Sequence, residues 1–105
     1  MDSMTDWLFS KSKDILLLLE SGEKNLKQIQ QNLGGSFSTI EKYINLLNRY
    51  DLITEKKEPN RTKNGRIVVG FSRVFSLTNK GKEIAKRLHE IDQKLLEIKE
   101  IMEKE

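Results

Sequence analysis

A chain of 105 residues with 36% hydrophobic and 33% charged residues has material for one modest core under a polar surface. It has no Cys and a single His, which excludes a disulfide framework, a thiolate metal site and a His cluster within one chain. The net charge of +3 hides an asymmetry: residues 1–53 carry six Lys/Arg against seven Asp/Glu, residues 54–82 eight against two, and residues 83–105 five against seven.

At the start, Met4, Trp7 and Leu8 have helical spacing and predict an extra turn or helix. The opening "MDSMTDWLFSKSKD" lacks both a basic n-region and a long apolar h-region, so it does not read as a signal peptide. The longest apolar run, Ile15 to Leu19, is far too short to span a membrane. The expected location is cytoplasmic. "DILLLLESG" predicts a short buried helix ending near Gly22. In "NLKQIQQNLGG", Asn25 and Gln28 form a capping box, Leu26, Ile29 and Leu33 form an apolar stripe, and Gly34-Gly35 stops the helix.

"SFSTIEKYINLLNRYDLI" follows. Ser38 with Glu41 three residues later predicts a second capping box and a helix over 38–50. Ile40, Tyr43, Ile44 and Leu47 share one face, while Ser38, Lys42, Asn45 and Arg49 share the opposite, polar one. Two short helices joined by a tight Gly-containing turn make a helix-turn-helix pattern, whose second helix enters the DNA major groove.

Leu52 to Lys56 reads as a short strand and "GRIVVGFSRVFSL" as a long one, with Ile67, Val69, Phe71, Phe75 and Leu77 on one side and Arg73 the exception. Gly70 marks a bulge and Asn64-Gly65 a tight turn. The basic stretch over 56–66 is then a hairpin loop of roughly eight residues, widened at Pro59 because Pro cannot sit in a central strand. Last comes a long helix with Thr78 as N-cap. Ile84, Leu88, Ile91, Leu95, Ile98 and Met102 alternate spacings of four and three, which is a heptad seam. Such a helix spans roughly 40 Å, longer than so small a domain can cover, and predicts a homodimer. Leu96 and Ile101 lie off the seam and could receive Trp7 or Phe9. The fold class is α+β, mainly α with a small β-hairpin. The expected division is a DNA-binding domain with an N-terminal extension over 1–77 and a dimerisation helix over 78–105.

"STIEKYINLLNRYDLI" resembles the recognition-helix segment of MarR-like and ArsR-like regulators, and "FSLTNKGKEIAK" resembles their wing-to-helix junction, Leu-Thr-x-x-Gly. These segments and their order resemble a winged helix-turn-helix from Lys13 to about Leu88. The heptad tail makes the layout similar to small winged-helix dimers of archaea and their viruses. The resemblance implies DNA binding as a dimer in transcriptional control. Relatives usually carry Gly where Asp51 stands, so this helix is expected to end differently. ArsR-type metal ligands are absent, and no cofactor is expected.

The candidate DNA-binding residues are Ser38, Thr39, Lys42, Tyr43, Asn45 and Arg49 on the helix and Arg61, Lys63, Asn64 and Arg66 around the turn. Asn45 can read adenine bidentately and Lys42 can reach guanine or a phosphate, unless both simply solvate the helix. Ser38 and Thr39 serve equally as caps or phosphate donors. Tyr43 is either core or a phosphate contact. The turn cations reach a minor groove or phosphates, or form a solvated tip. The candidate dimer interface is Ile84, Leu88, Ile91, Leu95, Ile98 and Met102. His89 lies outside the seam and reads as a surface residue. No Cys nucleophile, paired His, phosphate loop or metal spacing is present, so an enzyme is not expected. The expected partner is double-stranded DNA. Two alternatives stay open: an architectural protein with little sequence preference, and a winged-helix module for protein contacts.

Overall fold

The structure, a computed structural model, describes residues 11–104; Met4, Trp7, Leu8 and Phe9, with the expectations placed on them, lie outside the described residues. The element order is α1 (Lys11–Leu19), β1 (Lys24–Asn25), α2 (Leu26–Leu33), α3 (Phe37–Arg49), β2 (Ile53–Arg61), β3 (Ile67–Leu77) and α4 (Asn79–Glu103).

Local chemistry sets most helix ends. At α2 the Asn25 side chain accepts the Gln28 N–H and the Gln28 side chain accepts the Asn25 N–H, each at 2.8 Å, which is the expected capping box. Gly34, at φ +74°, ends that helix, and Lys11 donates to the freed Leu33 carbonyl at 3.1 Å. At α3 the expectation is corrected. Ser36, not Ser38, is the N-cap, accepting the Thr39 N–H at 3.2 Å. The helix therefore begins and ends one residue earlier than 38–50. The third helical position is Thr39, so Glu41 lies beyond reach of a capping box and pairs with Arg73 at 2.6 Å instead.

The exit of α3 also differs from expectation. Asp51 adopts φ +59°. The Leu52 N–H reaches the Leu47 carbonyl at 3.1 Å and the Asp51 N–H reaches Asn48 at 3.0 Å. That is the left-handed termination a glycine would give, with Asp carrying the unfavourable backbone instead.

The sheet is antiparallel in the order β1-β3-β2. Its third strand was not foreseen: Lys24 and Asn25 pair with Phe75 and Val74. β2 runs straight through Pro59, which lies opposite Phe71. As an edge strand it tolerates Pro, because an outward-facing N–H has no ladder partner to lose. The loop expected to widen there shrinks to 62–66. The Gly65 N–H donates to the Thr62 carbonyl at 2.9 Å and the Thr62 N–H to the Arg66 carbonyl at 2.8 Å. Gly65, at φ +80°, follows Asn64 as a left-handed bulge residue. The register slips between Pro59 and Arg61, opposite the stretch that holds Gly70, where a bulge was expected. Only the root of the strand's apolar side is covered: Phe75 is buried, but Ile67, Val69 and Phe71 are exposed.

Ile15, Leu16 and Leu19 of α1, Ile29 of α2, and Ile40, Ile44 and Leu47 of α3 form the core with Leu52, Ile53, Phe75 and Leu88. The core thus continues past position 78 into α4. Ile84 and Leu88, expected in a seam between chains, are corrected: Leu88 is 3% exposed in its own core and Ile84 packs against it. The reason is that the first half of α4 lies on α1. Beyond Leu88 every α4 residue except Asp92 is exposed through Glu103, and Asp92 pairs with Lys13 of α1. The molecule is elongated, 59 × 32 × 27 Å.

The junction of α3, β2 and α4 is tight. Thr78 caps α4 by accepting the Gly81 N–H at 2.9 Å, and its hydroxyl donates to the Asp51 carbonyl at 2.8 Å. Lys80 donates to the Tyr50 carbonyl at 2.9 Å. A Cβ at Gly81 would lie 2.0 Å from the Leu52 carbonyl oxygen. Gly81→Ala is therefore expected to destabilise the fold by about 1–3 kcal/mol despite its better helix propensity, because backbone must move to admit the methyl group. Urea unfolding measures this, and an unchanged midpoint would refute it. Asp51→Gly should act in the opposite direction, raising stability by about 0.5–1 kcal/mol through relief of the left-handed strain, net of the greater freedom of Gly in the unfolded chain. A lower melting temperature would contradict that account.

Candidate nucleic-acid interface

Burying Ile40, Ile44 and Leu47 turns the opposite face of α3 to solvent. Ser38, Lys42, Asn45 and Arg49 are all exposed there, as their spacing predicts, and line one open groove with Glu41, Tyr43 and Leu46. Lys42 and Arg49 have no carboxylate partner among the described residues. Thr39 is half-buried, its hydroxyl 2.9 Å from that of Ser36, and Ser36 also lies 3.0 Å from the Ser38 hydroxyl. These hydroxyls thus already cooperate at the helix start. Tyr43 is half-buried against the core.

Glu41 is the acid in this groove, and it is paired with Arg73. The Arg73 guanidinium donates to Glu41 at 2.6 Å and to both oxygens of Glu55 at 2.8 Å, and it lies over the Phe75 ring, 5.2 Å from its centroid. The hydrogen bond from Arg73 holds the Glu55 carboxyl below its ordinary range, and Glu55 and then Glu41 push Arg73 further up. A charge on the apolar side of a strand was the visible oddity; its reason is this clamp between α3 and the root of the hairpin.

At the far end of the hairpin, Arg61, Lys63, Asn64 and Arg66 are brought together around one five-residue tip, all exposed. Arg61 turns back to donate to the Gly65 carbonyl at 3.1 Å. Lys63 and Arg66 meet no carboxylate among the described residues, whereas the charge of Lys57, further down, acts on Glu55. Lys56 is different. It sits between Glu58 at 3.0 Å and Glu23 at 3.1 Å, and these contacts raise its pKa, Glu58 first. The helix set and the tip set thus form two cationic surfaces on one chain, joined through the Arg73 clamp.

The candidate dimer residues divide. Ile84 and Leu88 belong to the core, whereas Ile91, Leu95, Ile98 and Met102 are exposed along α4, with Leu96 and Ile101 beside them. His89 is exposed and faces the Glu20 carboxylate. Sequence reasoning missed the exposed ring of Phe37 at the first position of α3, and it placed Phe71 on the apolar side of its strand without foreseeing that the ring is exposed. Phe37 is in register with the apolar stripe of its helix, Ile40, Ile44 and Leu47 following at i+3, i+7 and i+10, so spacing alone gives no signal of its exposure. Among the described residues, no three of His, Cys, Asp or Glu gather in a metal-binding group, and no helix is long and apolar enough to cross a membrane.

No family model matches the chain, and no curated protein matches it in sequence. Solved structures do share its architecture. A mutant of ZitR from Lactococcus lactis, itself a zinc-responsive MarR family member, matches with a TM-score of 0.69 and 24% identity over 95% of this chain and 70% of that one. The adhesin competence repressor AdcR of Streptococcus pyogenes matches at 0.70 with 21% identity, over 95% of this chain and 69% of that one. Reduced HlyU of Vibrio cholerae matches at 0.63 with 18% identity, over 84% and 82%. At such identities the likeness is one of fold, and that fold is the winged helix-turn-helix, with α2 and α3 as its helix pair and β2–β3 as its wing.

Proposed function

We propose that this chain is a transcriptional regulator that binds duplex DNA as a homodimer, with α3 in the major groove and the wing tip on the backbone or in the minor groove. The observation that carries this reading is the placement of unpaired cations. Lys42 and Arg49 on α3 and Lys63 and Arg66 on the tip occupy the two elements through which a winged helix reaches DNA, while the acid in the α3 groove, Glu41, is paired with Arg73. Asn45, exposed on α3, is the residue suited to read an adenine. Ser38, Thr39 and Tyr43 are suited to phosphates. The repressor function in AdcR's name and the MarR membership of ZitR agree with this reading. A zinc response is not carried over from ZitR, because this chain has no Cys and only His89. The likeness of layout to winged-helix dimers of archaea and their viruses rests on the heptad tail alone.

The dimer reading rests on the exposed half of α4. Ile91, Leu95, Ile98 and Met102 keep the heptad spacing beyond the point where the chain's own core ends, and a second copy would cover them.

The decisive experiment concerns the wing. Neutralising Arg61, Lys63 and Arg66 together to Gln should weaken binding to every duplex by a similar factor and flatten the plot of log affinity against log salt. Each lost phosphate contact removes roughly 0.9 from the slope, so full engagement in both chains of a dimer gives a change of up to about 5. A folded triple variant that keeps the parent slope would reduce the tip to a solvated turn. For the dimer, Leu95→Glu should halve the mass found by sedimentation, since an unpaired charge in an apolar seam is costly. A dimer of unchanged mass would remove the tail from the interface.

A further inference from the structure

Phe37 and Phe71 are 51% and 69% exposed, so neither ring gains what burial in the core would give. Both line one groove, together with Asn25, Leu26, Lys27 and Arg73. The groove runs between the first turn of α3, the start of α2 and the wing. Arg73, fixed by Glu41 and Glu55, holds its two sides together. Its free charge is Lys27, which is exposed and has no carboxylate partner among the described residues, while Arg73 is engaged by Glu41 and Glu55. That free lysine favours a polyanion over an apolar protein surface, and the groove adjoins the proposed DNA-binding face of α3, Phe37 preceding Ser38 and Arg73 pairing with Glu41.

Among base edges in the major groove, an apolar patch on such a face has one chemical counterpart. Base edges in the major groove present donors, acceptors and a single apolar group, the C5-methyl of thymine. The residues nearest the N-terminus of a recognition helix are those that meet base edges. Phe37 is the first residue of α3. We infer that the groove between Phe37 and Phe71 takes a thymine C5-methyl and so makes the protein choose a T·A pair at one position in each half-site. This rests on the reading of α3 as a recognition helix.

The test uses a duplex that the full-length protein selects from a random-sequence library. Each thymine is then replaced singly by deoxyuridine, which removes the methyl group and keeps the pairing. At one position per half-site the wild type should lose about threefold to fivefold in affinity, the size of one buried methyl group. Phe37→Ala should lose a similar factor on the parent duplex and be indifferent to deoxyuridine at that position, as expected of two changes that remove the same contact. Phe37→Leu, which keeps an apolar side chain, should retain the sensitivity and serves if the Ala variant folds poorly. A wild type that binds every deoxyuridine duplex as well as the parent overturns the thymine assignment while leaving DNA binding intact. A Phe37→Ala variant that still discriminates thymine from deoxyuridine overturns it as well. Failure to bind any duplex overturns this inference and the function on which it rests.

Discussion

The main chain of Leu52 and the backbone of Gly81 approach each other so closely that no side chain fits between them. Around this contact the exit of α3, the start of β2 and the start of α4 share one set of hydrogen bonds, made by Thr78 and Lys80 to the carbonyls of Asp51, Tyr50 and, through the Thr78 N–H, Leu52. The direction of α4 relative to α3 is fixed here. Any surface presented by α3 is thereby held in a set orientation to any surface presented by α4. The Leu-Thr-x-x-Gly segment has a physical meaning in these terms: the Thr is a cap shared by two elements, and the Gly is the gap that lets them touch.

Where a signal is local, the sequence was a good guide. The Asn25–Gln28 box, the Thr78 cap, the Asn64-Gly65 turn and the polar face of α3 each depend on residues within one or two turns of one another. Ser36 and Ser38 show the limit of local signals. Both are good caps, and the choice depends on where the backbone leaves the extended conformation, which the spacing to Glu41 does not reveal. Pro59 shows another limit. Whether a strand tolerates Pro depends on strand order, and that order includes the two-residue β1, whose partners lie some fifty positions away. The heptad seam shows a third. Over two repeats a spacing of 3.5 cannot be told from 3.6, so Leu88 reads equally well as an interchain or an intrachain residue. Likewise, Phe71 and Phe75 look alike in an alternating strand, and only the packed helices beneath Phe75 separate them.

The basic middle of the chain is not a uniform charge. Arg73 and Lys80 hold elements together, and Lys56 is matched by two acids. Unmatched cations include Lys42 and Arg49 on the solvent face of α3 and Lys63 and Arg66 at the tip. A count of Lys and Arg by segment finds the polyanion-facing region, but it overstates how much of that charge is free to act. Pairing within the fold sets the difference.

The burial of Leu88 bears on how this chain becomes folded. α1 and α4 meet across a long interval, with Lys13 and Asp92 separated by 79 positions. Closing so large a loop carries a chain-entropy cost that the helix-turn-helix and the hairpin, built from neighbouring segments, do not incur. Those parts gain little permanence while α1 and β3 still lack the cover that the first half of α4 supplies. A chain cut after the wing would retain each local element and forfeit the cooperativity that makes them one unit. The end of α4 that reaches outward is dispensable to the interior, whereas its first three turns complete it.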